Sequence, residues 1–179
     1  ADPRNRTEAG KGGFAHCFEN VMCRATPNNP PDKFNATMTK AGARNNASTS
    51  DDRTLFYATF AKENLEDIVA LMADQFQHLD YSEAAFKTES RAVLGEYNKN
   101  AANPIRKLIE AQREAAFSTH TYKHTPMGYS KDIEDMPDQY EYSKEFVSRW
   151  YRHGNVPLIV AGRDHPPSSM TRVQKTRRD

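Results

Sequence analysis

Apolar residues recur at helical spacing in five stretches of the chain. Side chains that return every three or four positions lie on one face of a helix, where they can pack against a core. Pro104 falls inside the longest stretch and should break or kink that helix, because proline lacks a backbone N–H. The pattern predicts helices over 13–25, 32–41, 64–79, 82–118 and 138–152.

Strand signals are fewer and shorter. Residues 54–60 are rich in β-branched and aromatic side chains, and the polar segment 43–50 before them reads as an edge strand, so the two predict a hairpin. A short apolar run at 156–161 predicts one further strand. The predicted fold class is therefore α+β, with a largely antiparallel sheet and helices packed on one of its faces.

Length and charge narrow the classes of protein to which this chain can belong. The chain has 179 residues, which suits one domain, and its net charge of +1 gives no electrostatic case for binding nucleic acid or a membrane. No apolar run is long enough to span a bilayer, so no membrane insertion is expected. We expect a single, partial module over 1–179, in which 1–12 is a loop and 165–179 a poorly structured tail.

A group of polar side chains shares one flank of the first predicted helix. His16 and Asn20 are four positions apart and point the same way, with Glu19 beside them. The run His-Cys-Phe-Glu-Asn matches the inverted zinc motif His-x-x-Glu-His except at its last position. In that motif the histidines hold the metal and the glutamate is the general base. Asn20 replaces a ligand by a neutral amide, although zinc prefers nitrogen and sulfur donors.

Two cysteines accompany this motif. Cys17 and Cys23 are separated on the predicted helix by a rise of about 9 Å, which is too long for an unstrained disulfide. Both are expected to be buried free thiols, and Cys23 is a minor candidate ligand because it shares the flank of His16.

Two carboxylates interrupt the apolar stripe of the longest predicted helix. Glu89 and Glu96 fall in step with Phe86 and Val93. Burying a carboxylate without a partner is costly, so a nearby metal would explain both, with Glu96 as a ligand and Glu89 one layer further out. The alternative is that both glutamates edge the stripe and reach solvent, as in a generic helical binding domain.

Taken together, these residues resemble the pitrilysin/insulinase family of inverted-motif zinc metallopeptidases. The matching residues include Gly13-Phe14-Ala15-His16-x-x-Glu19 and the pair Glu89-x6-Glu96. Between Asn20 and Glu96 lie 75 residues, a separation that fits the family. The segment 44–50 with 54–57 is similar to the family's peptide-binding hairpin, and the resemblance covers roughly 8–164.

The resemblance implies a zinc-dependent metallopeptidase module. His16 would be the first metal ligand, Asn20 would stand at the second and Glu96 would be the third. Glu19 would be the general base that activates a metal-bound water for peptide hydrolysis. Glu89 would support the site from outside the ligands.

The same resemblance implies a substrate and partners. Asn46 and Ala47 would pair with the backbone of a peptide or unfolded protein, which would add to the sheet as a further strand. Family proteins build a closed chamber from paired modules, so a second homologous module or subunit is an expected partner. The family module has strands ahead of the metal helix, whereas this sequence begins almost at that helix.

The substitution at Asn20 keeps a second function open. Zn²⁺ binding would be weakened, or absent if Asn20 cannot ligate. The alternative is therefore a non-catalytic homologue that serves as a structural or peptide-binding partner subunit. The sequence has no signal peptide, so we expect a cytosolic chain or a mature piece of an exported protein. A periplasmic location is favoured, and a mitochondrial one is the alternative.

Overall fold

Helices make up most of the chain, and a two-stranded sheet accompanies them. The computed structural model describes residues 10–24 and 26–162. The predicted α+β class is confirmed, with a sheet that has only two strands in this part of the chain. The elements are α1 (Phe14–Met22), α2 (Pro31–Lys40), β1 (Arg44–Thr49), β2 (Thr54–Thr59), α3 (Leu65–Gln77), α4 (Glu83–Ala101), α5 (Pro104–Ala116), α6 (Ser130–Asp135) and α7 (Tyr140–Trp150).

The first helix buries the apolar stripe that its sequence predicts. The buried side chains are Phe14, Cys17, Phe18 and Val21, none of them more than 1% exposed. The ring of Phe18 stacks 5.6 Å from that of Phe146 in α7. The helix ends at Met22 rather than near residue 25. A tight turn follows, in which Thr26 and Asn29 exchange backbone hydrogen bonds of 3.2 and 3.1 Å, and a continued helix could not include that turn.

The chain enters α1 through a close backbone contact. The N–H of Gly12 donates to Asp132 Oδ2 at 2.9 Å. Gly13 has a φ of +85°, and a Cβ placed there would lie 2.6 Å from the carbonyl oxygen of Met127. Gly128 has a φ of +81°, and its Cβ would lie 2.5 Å from the Gly12 backbone. Residues with side chains rarely adopt such backbone angles and cannot approach this closely, so glycine is required at both positions.

The predicted hairpin is confirmed, with β1 and β2 inside the predicted segments 43–50 and 54–60. Its turn is closed by a 2.8 Å hydrogen bond from the N–H of Ser50 to the carbonyl of Arg53. In β1 only Ala47 and Thr49 are half-buried, while the other four residues are exposed. This alternation places Thr49 on the more sheltered face of the strand.

The third helix was predicted over 64–79 with Asn64 as its N-cap. Asn64 does occupy the N-cap position, but its side chain makes no capping hydrogen bond, so that part of the prediction is wrong. The physical reason is a 3₁₀ turn over Lys62–Asn64, in which the N–H of Asn64 bonds to the carbonyl of Ala61. Asn64 therefore lacks the extended backbone from which a side chain usually caps a helix.

A buried carboxylate lies at the C-terminal part of α3. Asp74 accepts hydrogen bonds from the side chains of Thr26, Asn28 (2.8 Å) and Asn29 (2.7 Å), and its Oδ1 lies 2.8 Å from Nδ1 of His78. Burial by itself raises the pKa of Asp74, but these four hydrogen bonds outweigh it and lower the pKa to about 2. No pattern along the chain indicated this cluster, because Asp74 lies more than forty positions after the threonine and the asparagines that bind it.

The break predicted at Pro104 is confirmed, since α4 ends at Ala101 and α5 begins at Pro104. Asn103 caps the new helix by accepting a 2.9 Å hydrogen bond from the N–H of Ile105. The apolar face of α5 lies towards solvent: the helix buries no residue, and Ile105 and Leu108 are 60% and 63% exposed.

Two predictions in the last third of the chain are wrong. Residues 156–161 form no strand, and Ile159 is 80% exposed, because no neighbouring strand within the described residues supplies hydrogen bonds to this segment. The helix predicted over 138–152 begins only at Tyr140, and the segment before it, for which no element was predicted, contains α6 and a 3₁₀ turn over Met136–Asp138. Ile133 and Met136 are fully buried, so packing of two apolar side chains stabilises a segment that is otherwise polar.

The described residues belong to two compact units. The first contains residues up to Val21, Ser48–Leu55 and Tyr81–Asn155, and the second contains Met22–Ala47, Phe56–Asp80 and the residues from Val156 onwards. That 1–179 forms a single partial module stays a prediction. The predicted tail 165–179 and most of the predicted loop 1–12 lie outside the described residues. Across 10–24 and 26–162, no helix combines the length and the apolarity needed to cross a lipid bilayer.

Candidate metal centre

The imidazole of His16 and the carboxylate of Glu96 face each other. Nε2 of His16 lies 3.4 Å from Oε2 of Glu96, and the two side chains are 16% and 50% exposed. His16 is brought there by the polar flank of α1, and Glu96 by the second half of α4. A nitrogen and an oxygen donor at this separation can approach one cation from two sides.

The other nitrogen of the His16 ring has an unusual environment. Nδ1 is buried and has no hydrogen-bond partner among the residues that the structure describes. In metal sites this second nitrogen usually donates to a carboxylate or carbonyl, which fixes the tautomer and the ring orientation. No such partner meets Nδ1 among the described residues, although only 16% of the side chain is exposed.

Glu19 is the half-buried carboxylate of the motif, and a hydroxyl holds one of its oxygens. Thr49 Oγ1 donates to Glu19 Oε2 at 2.6 Å, a short bond of the kind that charged acceptors form. Thr49 Oγ1 also lies 3.3 Å from Oγ1 of Thr54 across the hairpin. The carboxylate is therefore fixed in orientation before any substrate binds.

The second ligand position, at Asn20, determines whether the donors fit zinc. Asn20 is half-buried on α1, one turn beyond His16, and it offers a neutral amide oxygen. Catalytic zinc sites have three protein ligands drawn from histidine, cysteine and carboxylates. In the part of the chain that the structure describes, no three such side chains converge. His16 and Glu96 therefore fit zinc, whereas Asn20 is a weak donor for it.

The remaining predicted site residues are Glu89, Asn46 and Ala47. Glu89 is half-buried on α4, two turns before Glu96. In β1, Asn46 is exposed, and its Oδ1 accepts a 2.9 Å hydrogen bond from the N–H of Ala47. A peptide that pairs with this N–H would have to displace the Asn46 side chain.

The two thiols differ from each other. Burial raises the pKa of Cys17 to about 12, and a contact with the Ser90 hydroxyl offsets this only in part. Without a metal beside it, Cys17 therefore stays a neutral thiol at neutral pH. Cys23 is exposed, so the prediction that both thiols are buried is wrong for Cys23. Its position just beyond the last residue of α1 removes it from the buried stripe.

Three hydroxyl-bearing residues near Glu19 were not predicted from the sequence to contribute to the site: Thr49, Thr54 and Tyr151. Tyr151 hydrogen bonds with Thr54, and burial raises the pKa of its phenol, so it remains protonated. The alternation of β1 was a signal for Thr49, because it shares the sheltered face with Ala47. Nothing in the sequence signalled Tyr151, which follows α7 and meets the hairpin only in the folded chain.

The chain matches the model of one protein family over most of its length. Residues 5–130 match the insulinase family of peptidases, M16. The chain belongs to the M16 peptidase family. This confirms the resemblance that His16, Glu19 and Glu96 suggested, although the match concerns the family and does not assign roles to these side chains.

Individual M16 relatives agree in sequence and in fold. A zinc protease from Helicobacter pylori, PqqE, is 31% identical over 160 residues, which are 89% of this chain and 35% of that protein. The crystal structure of a protease from Helicobacter pylori superposes with a TM-score of 0.89 at 27% identity, over 98% of this chain and 42% of the other. The periplasmic protease PqqL from Escherichia coli has the same fold, with a TM-score of 0.79 at 22% identity over 96% of this chain and 19% of the other.

The chain is much shorter than these relatives. It spans about a third of the length of the Helicobacter pylori zinc protease that it matches. The match therefore concerns only part of the length of those proteins.

Proposed function

We propose that this chain is the metal-binding part of a peptidase that hydrolyses peptides, and that Asn20 weakens its metal site. The observation that carries the proposal is the 3.4 Å approach of His16 Nε2 and Glu96 Oε2, which joins the start of the chain to the middle of α4. Family membership supports the reaction class, since its relatives include a protein named as a zinc protease.

His16 and Glu96 are the first and third residues that hold the metal, and the Asn20 amide oxygen occupies the second position. Zinc, when bound, polarises a carbonyl group and makes a water molecule more acidic. Two strong donors and one amide should hold it far less tightly than three strong donors do. Loss of a supporting contact outside the ligands already costs 10–100-fold in affinity as a rough guide, so loss of a ligand should cost at least as much.

Glu19 is the general base of the proposed reaction. Its carboxylate accepts a proton from the attacking water and later returns it to the leaving amine. The hydrogen bond from Thr49 supports this role, because it fixes one carboxylate oxygen and leaves the other for proton transfer. Glu89 supports the site from outside the ligands, on the same helix as Glu96.

Peptide binding is proposed for β1. A peptide or unfolded segment would add to the exposed strand, with Asn46 and Ala47 supplying backbone hydrogen bonds. The Asn46 side chain already bonds the Ala47 N–H, so peptide binding includes a competition with this internal contact.

The weak donor at Asn20 favours a second candidate function. A module that cannot retain zinc would be a non-catalytic homologue, acting as a structural or peptide-binding partner subunit. The absence of a third strong donor among the described residues is the observation that supports it. In both cases we propose that a second homologous module completes the protein, since the chain spans only about a third of its relative.

Zinc binding and peptide hydrolysis together decide between the two functions. The native chain, Asn20→His and Glu19→Gln are titrated with zinc and assayed on an unfolded protein substrate. The proposal expects weak zinc binding by the native chain and tighter binding with faster hydrolysis by Asn20→His. It also expects Glu19→Gln in the Asn20→His background to bind zinc without hydrolysis. A native chain that binds peptide while Asn20→His neither binds zinc nor hydrolyses would establish the second candidate.

Location is proposed from one relative. The Escherichia coli protease of the same fold is described as periplasmic, which supports a periplasmic location for this protein. A mitochondrial location is the alternative. Fractionation of cells that express the complete protein, with the protein followed by an antibody, would distinguish the two.

A further inference from the structure

A row of hydroxyl groups ends at the carboxylate of Glu19. Thr49 Oγ1 lies 2.6 Å from Glu19 Oε2, and Thr54 Oγ1 lies 3.3 Å from Thr49 Oγ1. Tyr151 hydrogen bonds with Thr54, and its hydroxyl is also 3.5 Å from the carbonyl of Ala15. All five residues belong to the first compact unit, so the row lies within one packed body.

The direction of these hydrogen bonds follows from counting hydrogens. A carboxylate only accepts, so the single hydrogen of the Thr49 hydroxyl must point at Glu19. Thr54 must then donate to Thr49, because Thr49 has no second hydrogen to give. The Tyr151 hydroxyl donates its one hydrogen to the Ala15 carbonyl at 3.5 Å, and it also contacts Thr54. Thr54 therefore donates to Thr49, and Thr49 donates to Glu19.

The end of the hairpin that carries Thr49 and Thr54 is itself anchored. Arg113 forms a two-pronged ion pair with Asp51, with nitrogen–oxygen distances of 2.6 and 2.9 Å. The Tyr122 hydroxyl donates to the carboxylate of Asp52, whose oxygens lie 2.8 and 2.7 Å away. These contacts fix the turn between the two threonines, so the Thr49 hydroxyl meets Glu19 at a defined point.

We propose that Thr49 is a positioning residue for the general base: its hydroxyl holds Glu19 Oε2 so that Oε1 is presented to the attacking water. This inference rests on the proposed function, because it needs Glu19 to be the base. Thr54 acts through Thr49, since its hydroxyl fills the acceptor site of Thr49 and keeps the Thr49 hydrogen directed at the carboxylate.

The kinetic consequence is specific. Without the Thr49 hydroxyl, Glu19 can rotate away from the water, although zinc and peptide still meet the same ligands. Misplacing a reacting group by about 1 Å can cost on the order of 100-fold in rate, so kcat should fall by roughly 10–100-fold with KM unchanged. A purely structural threonine would instead lower stability without this selective loss of kcat.

The experiment compares Thr49→Val, which keeps the shape and removes the hydroxyl, with Thr49→Ser, which keeps the hydroxyl. Thr59→Val is the matched control, because Thr59 is an exposed threonine at the other end of the hairpin. A first measurement is independent of metal: urea unfolding of the zinc-free chain in a double-mutant cycle of Thr49→Val and Glu19→Gln. A hydrogen bond to a carboxylate predicts a coupling of about tenfold in the unfolding equilibrium constant. Thr59→Val should show none.

The second measurement is peptide hydrolysis in the zinc-loaded Asn20→His background. Thr49→Val should lose kcat, Thr49→Ser should restore most of it, and Thr59→Val should leave both constants unchanged. Absent coupling, or a Thr49→Val enzyme with normal kcat, overturns the positioning role while the proposed function stands. If Asn20→His neither binds zinc nor hydrolyses peptide, the proposed function fails and the positioning role fails with it.

Discussion

His16 and Glu96 are 80 positions apart in sequence, yet their side chains approach to 3.4 Å. The contact joins α1 to α4 within one compact unit. In the proposed site these two donors hold the metal, and we expect the residue one turn after His16 to determine how tightly it is held. The first prediction therefore concerns Asn20.

Asn20→His should raise zinc affinity by about 100-fold or more, because it adds an imidazole at the second ligand position. Isothermal titration with zinc, with the native chain in parallel, measures the change. Asn20→Gln is the control: it keeps an amide and should bind zinc no better than the native chain. Equal affinity of Asn20→His and Asn20→Gln would show that residue 20 does not face the metal.

The low pKa of Asp74 predicts a loss of stability in acid. The carboxyl titrates near 3.8 when unfolded and near 2 when folded, so its contribution is complete above about pH 4 and is lost as the pH falls towards 2. The shift corresponds to about 2 kcal/mol. Asp74→Asn should be destabilised by roughly that amount at pH 7, with a smaller difference from the native chain at pH 2.5. Urea unfolding at both pH values tests this, and the exposed Asp80→Asn should show no such difference.

Phe18 should be among the most costly positions to truncate. It is fully buried, and its ring contacts those of Phe86, Phe146 and Tyr151 at 5.6 to 6.4 Å. Phe18→Ala should lower the free energy of unfolding by about 3–5 kcal/mol, because it leaves a cavity among these rings. Leu108→Ala, at a leucine that is 63% exposed, should cost less than about 0.5 kcal/mol. A loss of more than that at Leu108 would mean that something covers the apolar face of α5.

Two glycines should respond in opposite directions to the same substitution. Gly13→Ala places a Cβ 2.6 Å from the Met127 carbonyl oxygen at a positive φ, so we expect a loss of at least about 2 kcal/mol. Gly95→Ala lies inside α4 with no atom within 4 Å of the new Cβ, and should stabilise the protein by about 0.5–1 kcal/mol. Thermal unfolding of both variants measures the two effects, and a neutral Gly13→Ala would contradict the close approach at the start of α1.

The ion pair of Arg113 and Asp51 should depend on the shape of the guanidinium group as well as on its charge. Arg113→Lys keeps the charge but cannot form two parallel hydrogen bonds, so a loss of about 1 kcal/mol is expected. Arg106→Lys on the same helix, at an exposed arginine, should be neutral. Urea unfolding of the two variants gives the comparison, and equal stabilities would mean that the two-pronged contact contributes nothing.

Local physics explains what could be predicted from sequence. The stripe of α1, the end of α4 before Pro104 and the hairpin follow from periodicity and from the missing N–H of proline. The same spacing placed His16, Glu19 and Asn20 on one flank, where Asn20 is the one departure from the inverted motif. The strand at 156–161 failed because an apolar run needs a partner strand, and α6 was missed because a single buried isoleucine gives no period.

The sequence by itself determined which chemical groups this protein can use. They are the imidazole of His16, the carboxylates of Glu19, Glu89 and Glu96, and an amide at Asn20, where a strong donor is expected. Only the tertiary structure decided which of them meet. The approach of His16 to Glu96, the hydroxyls of Thr49 and Thr54 beside Glu19, and the four hydrogen bonds on Asp74 all join segments far apart in the chain. Spacing along a helix or strand reports only on neighbours, whereas such contacts depend on how the helices and the hairpin pack.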